Sequence, residues 1–298
     1  MSVDAHGNFR GKRLVVFGCG YVGSAVAEEA RARGVSVVAL TRNEAKAAAL
    51  REREIDVVVA DLASDAWHGR IGGRADFVLN CVSSGGGGLE GYRRSYVDGM
   101  RSILAWASAS DGAGSLVYTS STAVYPQGNG AVVDESAPTG GSDRAEILLE
   151  AEAMLRGAEK ACARWFVLRL AGIYGPGRFH LVEQVRRGEV AGRGEHRLNL
   201  AHRDDIVAAV WACFGAPPDV RNEIFNVADG AATPKAEVAA WLAARLGAPT
   251  PRFTGAPTGG RERLVPDRII ASAKLRAALG WRPRYPSFRA GAENLLSR

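Results

Sequence analysis

The 298-residue chain has no run of about 18 uncharged apolar residues, and the stretch from Met1 to Lys12 is polar. A membrane span and a secretory leader are therefore not expected, and a cytosolic location is. Cysteine is scarce: Cys19, Cys81, Cys162 and Cys213 lie far apart and form no CxxC pair. They read as small buried hydrophobes in a reducing compartment, not as a disulfide frame. Histidine is scarcer in effect, because His6, His68, His180, His196 and His202 are scattered, and HExxH is absent together with a Walker loop and GxSxG. No metal is expected. No run of five like charges occurs although the net charge is +6, so nucleic acid is not expected either. Arginines on solvated helix faces account for most of that charge, with a bias towards small anionic molecules as the second reading. No internal repeat is evident.

What is present is an alternation of apolar runs and helical patterns, in a chain that is 47% hydrophobic. Leu14–Phe17, Val35–Leu40, Ile55–Ala60, Ala75–Asn80, Ser115–Ser120 and Trp165–Leu170 read as six buried strands. Helices are expected over Tyr21–Arg33, Asn43–Arg51, Leu89–Ser110 and Ser142–Cys162, with a loop at Gly85–Gly88 that reads as a mobile flap or a close backbone approach. The fold class is α/β, a doubly wound parallel sheet. Beyond Ala171 prolines punctuate shorter elements, including helices near Asp204–Phe214, Lys235–Leu246 and Ser272–Leu279. The expected division is 1–171 for the sheet domain and 172–298 for a smaller α+β lid over its carboxyl edge, some of whose elements return to the sheet.

Between the first strand and first helix stands Gly18-Cys19-Gly20-Tyr21-Val22-Gly23. In that context GxGxxG is a Rossmann-type dinucleotide turn: Gly18 for the tight bend, Gly20 for backbone approach to a pyrophosphate, Gly23 for helix–strand packing. The helix start adds free N–H groups and partial positive charge. The second strand ends Leu40-Thr41-Arg42-Asn43, without the carboxylate that takes NAD ribose hydroxyls. Arg42 suits a 2′-phosphate, so NADP is preferred over NAD; a surface arginine opening the next helix is the plain alternative.

Several segments together resemble the extended short-chain dehydrogenase/reductase superfamily, in its NAD-dependent epimerase/dehydratase branch. They are the glycine turn, Asp61-Leu62, Val117–Tyr125, Leu168–Arg178, His202–Ile206, Phe225-Asn226-Val227 and Ala278–Pro283, in family order over nearly the whole chain. The resemblance implies an N-terminal nicotinamide-binding domain and a small substrate domain. It assigns Asp61 and Leu62 to the adenine end, and Cys81, Val82, Ser83 and Thr119 to the cofactor as well. It also implies a homodimer through the two long helices. Ile103, Leu104, Trp106, Leu148, Leu149 and Leu155 fit that interface and fit packing on the sheet equally, so a monomer stays open.

The family's proton-transfer group is a Tyr-x-x-x-Lys pair aided by a serine or threonine. The serine is Ser121. Aligning Leu149–Glu152 with the family helix puts Arg144 where tyrosine belongs and Leu148 where lysine belongs, and no tyrosine in the chain has a lysine four residues on. Asp98, in Tyr96-Val97-Asp98-Gly99, stands where the family usually has asparagine. The chain thus looks like an atypical subgroup. Three functions follow in order: an oxidoreductase or epimerase on a carbonyl or secondary alcohol with a substitute proton donor; a non-catalytic NADP(H) sensor or partner-binding protein; a non-redox cyclase or lyase. Ser121, Tyr125 and His202 are the candidate catalytic residues, with Tyr174 beside them. For Tyr125 and Tyr174 packing is the plainer role, and for His202 a helix cap. Ser83, Ser121, Tyr174 and Arg178 are the expected contacts for a small-molecule substrate, sugar-like or anionic. Arg193, Arg203 and Arg261 are further arginines expected in cleft-facing loops.

Overall fold

The computed structural model describes residues 9–255 and 266–296. Arg13–Phe17 forms β1, whose four apolar side chains are all buried. A strand with no solvated face must be covered on both sides, as in parallel α/β sheets. Tyr21–Ala32 forms α1, which buries Val22, Val26 and Ala30, one stripe at helical spacing. Ser36–Thr41 is β2 and Glu44–Arg51 is α2. Asn43, expected inside that helix, caps it instead, its side chain accepting from the Lys46 N–H at 2.9 Å. Asp56–Val59 is β3 and Ala75–Asn80 is β4.

The helix expected over 89–110 comes in three pieces: α3 (Gly88–Arg93), a π-helical turn at Arg94–Asp98, and α4 (Gly99–Ala109). Ala113–Ser121 is β5, and Asp143–Arg156 is α5. α5 stops six residues short of the expected end, because the chain turns at Gly157 and is extended again from Cys162, where β6 (Cys162–Leu170) starts. α6 (His180–Arg186) and α7 (Arg203–Phe214) follow, then a seventh strand, β7 (Glu223–Val227), beyond the six expected.

The seven strands form one sheet in the order β7-β6-β5-β4-β1-β2-β3. β1 pairs in parallel with β2 and β4, and Phe17 stands opposite both Leu40 and Asn80. The chain therefore leaves β1 towards one edge and returns through β4 to the other side. In doubly wound sheets that switch point opens a crevice beyond the carboxyl ends of the strands.

The chain divides into two compact units, each assembled from three stretches. The first is Met1–Val124, Gly140–Arg169 and Val207–Phe225; the second is Tyr125–Thr139, Leu170–Ile206 and Asn226–Arg298. In the first, Phe17 packs against Trp67 (ring centroids 4.9 Å) and Trp106 (5.5 Å). Ile103, Leu104, Trp106, Leu148 and Leu155 are buried within this single chain. The core also holds an ion pair, Arg169 Nη2 to Glu152 Oε2 at 2.7 Å, with Ser120 Oγ donating to Glu152 Oε1 at 2.6 Å. The second unit carries α8 (Lys235–Leu246), α9 (Ala273–Leu279) and α10 (Phe288–Leu296). Its core gathers Tyr174, Leu181, Val185, Val238, Leu242 and Phe288. Among the described residues no helix is long and apolar enough to cross a membrane.

Candidate functional site

The glycine turn is built as the spacing requires. Gly18 has φ +91°, and a Cβ there would lie 2.7 Å from the Val82 backbone. A Cβ on Gly23 would collide with the Gly18 carbonyl oxygen and sit 2.6 Å from Cys81 Sγ. At Gly20 a Cβ meets nothing within 4 Å, because that position borders the open cleft. Two glycines are thus needed by the protein itself and the third leaves room beside it. The first turn of α1 carries no acidic residue, so its positive end is uncompensated. The end of β4 is pinned alongside, with the Cys81 N–H donating to Phe17 O at 2.9 Å and Asn80 Oδ1 accepting from the Val82 N–H at 3.3 Å.

A cleft of about 360 Å³ lies over this turn. Gly18 and Gly20 line it together with Cys81, Val82 and Ser83 and with Arg42, Asp61 and Leu62. These eight sequence-predicted residues come together. Tyr21, Val22 and Gly23 sit in the first turn of α1 and do not line the cleft. Thr119 does not line it either: it is buried in β5, its hydroxyl donating to Asn80 O at 3.4 Å.

Lys46 and Arg94 also line the cleft and were not picked out from the sequence. Lys46 lies in the first turn of α2, four residues after Arg42, which precedes the cap Asn43. Arg94 carries no local signal. Its Nη2 donates to Asp61 Oδ2 at 2.5 Å across 33 residues of chain. That guanidinium is the main reason the Asp61 carboxyl is held below the usual carboxylate value; the Ala63 N–H and Arg42 act the same way against the opposing effect of burial. Burial pushes the Cys19 thiol up to about 12, and Cys81 Sγ donates to Gly18 O at 3.0 Å. Both thiols are protonated packing groups rather than nucleophiles.

On the catalytic side, Ser121 ends β5, partly exposed, its Oγ accepting from the Ala123 N–H at 3.1 Å. On α5, Leu148 is buried in the core, and Arg144 places its guanidinium 5.6 Å from the Tyr92 ring centroid. Neither position offers a phenol or an amine. In the second unit the Tyr125 hydroxyl donates to Asn226 Oδ1 at 2.9 Å, and the Tyr174 hydroxyl to Ser287 O at 3.4 Å; both rings are buried. His202 is fully buried, with ring centroids 5.1 Å from Tyr174 and 4.0 Å from Tyr285. Its Nδ1 accepts from the Asp204 N–H at 3.2 Å, and burial lowers its pKa. All three side chains are engaged in packing, and His202 does serve as the cap of α7. Arg178 is half-buried in a turn whose backbone pairs with Gly175 in both directions. Arg193 is exposed 3.8 Å from Glu195, Arg203 opens α7 beside Asp204, and Arg261 lies outside the described residues.

A glycine cradle at a helix start, over the switch point of a parallel sheet, defines a dinucleotide-binding protein of Rossmann type. The chain belongs to the NAD-dependent epimerase/dehydratase family, whose profile matches residues 14–228. It is 25% identical to Protein YeeZ of Escherichia coli over 281 residues, covering 92% of this chain and 97% of that one. It is 28% identical over 317 residues to a 3-diazoavenalumate denitrifying reductase of a Streptomyces species, covering 93% and 98%. Among solved structures it resembles the UDP-glucose 4-epimerase of Thermotoga maritima, with TM-score 0.82 and 18% identity over 96% of this chain and 97% of that one. It also resembles MoeE5 in complex with UDP-glucose and NAD, with TM-score 0.81, 22% identity and coverage of 96% and 97%. The fold is shared with these structures, and the family membership makes it a fold of NAD-dependent epimerases and dehydratases.

Proposed function

We propose that this protein is an NADP(H)-dependent oxidoreductase acting on a carbonyl or secondary alcohol of a sugar-like or anionic small molecule. The observation that carries the cofactor choice is that Arg42 and Lys46 line the cleft and that β2, ending at Thr41, is followed by Arg42 instead of a carboxylate. A 2′-phosphate gains charge-assisted hydrogen bonds there. The cradle fits the pyrophosphate for a separate reason, the open space beside Gly20. Bound in the cleft, the dinucleotide supplies or accepts a hydride. The chain's part is to hold the pyrophosphate on the amides of α1, to grip the adenosine phosphate through Arg42 and Lys46, and to orient the substrate oxygen from Ser121 Oγ.

The Streptomyces relative is named a reductase, which favours reduction over epimerisation for this chain. With Arg144 and Leu148 in the positions that the family uses for proton transfer, the proton reaches the substrate oxygen from water or from an acidic group of the substrate, with Ser121 aligning the acceptor. The same two residues favour a second reading, an NADP(H)-binding protein without turnover.

Calorimetric titration with the four pyridine nucleotides separates these. The expected result is NADPH bound in preference to NADH, with Arg42→Ala weakening NADPH roughly ten- to hundredfold and leaving NADH near its wild-type value. A panel of carbonyl compounds then reads turnover as loss of nicotinamide absorbance. NADPH consumption abolished by Ser121→Ala supports the oxidoreductase; tight binding with no consumption across the panel supports the sensor. No heat with any nucleotide overturns both.

A further inference from the structure

The Asp61 carboxylate, the expected acceptor for the adenine amino group, has both oxygens engaged. Oδ2 accepts from Arg94 Nη2 at 2.5 Å and Oδ1 from the Ala63 N–H at 3.1 Å. Arg94 reaches Asp61 from the π-helical turn at Arg94–Asp98, a local widening of the helix of the kind that recurs at functional sites. Its neighbour Arg93 points elsewhere, holding Glu150 through Nη1 at 2.9 Å and Nη2 at 2.7 Å.

Three cations, Arg42, Lys46 and Arg94, line the cleft with Asp61 as its single carboxylate, and Arg94 and Arg42 both act on that carboxyl. The Asp61–Arg94 pair is solvated, with side-chain exposures of 39% and 55%. Such pairs are held weakly and yield to a better partner. A phosphate monoester is one: it carries up to two charges and three strong acceptor oxygens, against one charge and two oxygens on a carboxylate.

We propose that Arg94 is a second ligand for the 2′-phosphate of NADP(H), parked on Asp61 in the free protein and handed to the phosphate as the nucleotide enters. The exchange releases Asp61 towards the adenine. Arg42 grips the phosphate from the end of β2 and Arg94 from the π-helical turn, so preference for NADP(H) is written in two separate chain segments. The proposal rests on the reading that this cleft takes NADP(H).

The test is fluorescence titration of NADPH and NADH against the wild type, Arg94→Gln, Asp61→Asn and the double variant, with 2′-AMP and 5′-AMP as probes of the adenosine end alone. Arg94→Gln is expected to weaken NADPH and 2′-AMP roughly tenfold or more while leaving NADH and 5′-AMP within about twofold. Asp61→Asn, which keeps an acceptor but removes the competing charge, tightens NADPH severalfold. The double variant behaves as Arg94→Gln, because the effect of the acid runs through the arginine. Arg94→Lys keeps the charge without the fork and falls between wild type and Arg94→Gln. A wild type that binds NADPH no tighter than NADH overturns the cofactor reading itself. A wild type that prefers NADPH while Arg94→Gln keeps that preference, or while Asp61→Asn weakens NADPH as Arg94→Gln does, overturns this proposal alone.

Discussion

The cradle makes opposite demands at two of its glycines, and a pair of alanine substitutions separates them. At Gly23 an added Cβ collides with the Gly18 carbonyl oxygen, a backbone atom, and stands 2.6 Å from Cys81 Sγ. Neither neighbour is the loose end of a flexible side chain. α1 must move off β1, and overpacking of this kind costs about 1–3 kcal/mol. At Gly20 the added Cβ meets nothing within 4 Å, and its φ of −88° lies outside the left-handed region. The expected cost there is below about 1 kcal/mol, that of alanine for glycine at a helix N-cap. Yet Gly20 borders the cleft, so on the proposed reading its methyl occupies space that a bound pyrophosphate would need.

Gly23→Ala should therefore lower the melting temperature by roughly 2–12 °C, taking 2–4 °C per kcal/mol for a chain of this size. Gly20→Ala should melt close to wild type and lose about ten- to hundredfold in dinucleotide affinity, the worth of one amide–phosphate hydrogen bond. Differential scanning calorimetry and nucleotide titration on the same preparations read both. If Gly20→Ala bound NADPH as tightly as wild type, backbone approach at Gly20 would not be how this protein holds a pyrophosphate. If Gly23→Ala melted with wild type, the close contact between α1 and β1 would be wrong.

Three further outcomes follow from groups outside the cradle. Glu152→Ala removes the carboxylate that pairs with the buried Arg169 guanidinium and should cost about 3–5 kcal/mol in chemical denaturation; an unchanged midpoint would show the pair to be dispensable. Tyr125→Phe removes the hydroxyl that donates to Asn226 Oδ1; a loss of about 1–2 kcal/mol in stability with any NADPH turnover intact is expected, and intact stability with lost turnover would make Tyr125 a proton donor after all. Burial raises Asp229 from 3.8 to about 7, so between those values the folded state holds a proton that the unfolded state has released. Its contribution to stability is then complete below about pH 4, falls as pH rises towards 7 and is level above; Asp229→Asn should flatten the denaturation midpoint across that window, and an unaltered slope would refute the assignment.

How much of this was legible in the sequence depends on how local each signal is. β4 at Ala75–Asn80 and α8 at Lys235–Leu246 fall where the pattern puts them, since each has sharp ends: glycine and arginine before the strand, Pro234 and Gly247 around the helix. β7 was missed as a strand because Glu223-Ile-Phe-Asn-Val is short, half polar and sits in a proline-rich half of the chain. Its place at the sheet edge beside β6 comes from tertiary pairing alone. The break in the helix over 88–109 was invisible for a different reason. Hydropathy at 3.6-residue spacing continues through the π-helical turn, and one widened turn leaves the apolar stripe almost unchanged.

The site divides along the same line. Its glycines, Arg42 and Asp61 are announced by position relative to a strand end, and the structure gathers them. Lys46 and Arg94 look, in sequence, like any solvated charge on a helix. Arg94 acquires meaning only because a turn 33 residues away in the chain brings Asp61 within 2.5 Å of it. An arginine-rich chain is thus easy to read as generally basic and hard to read as selective. On the proposed NADP(H) reading, charge becomes specificity because the lining of the cleft holds three cations to one carboxylate. A cofactor with an additional phosphate is the ligand that such an imbalance discriminates.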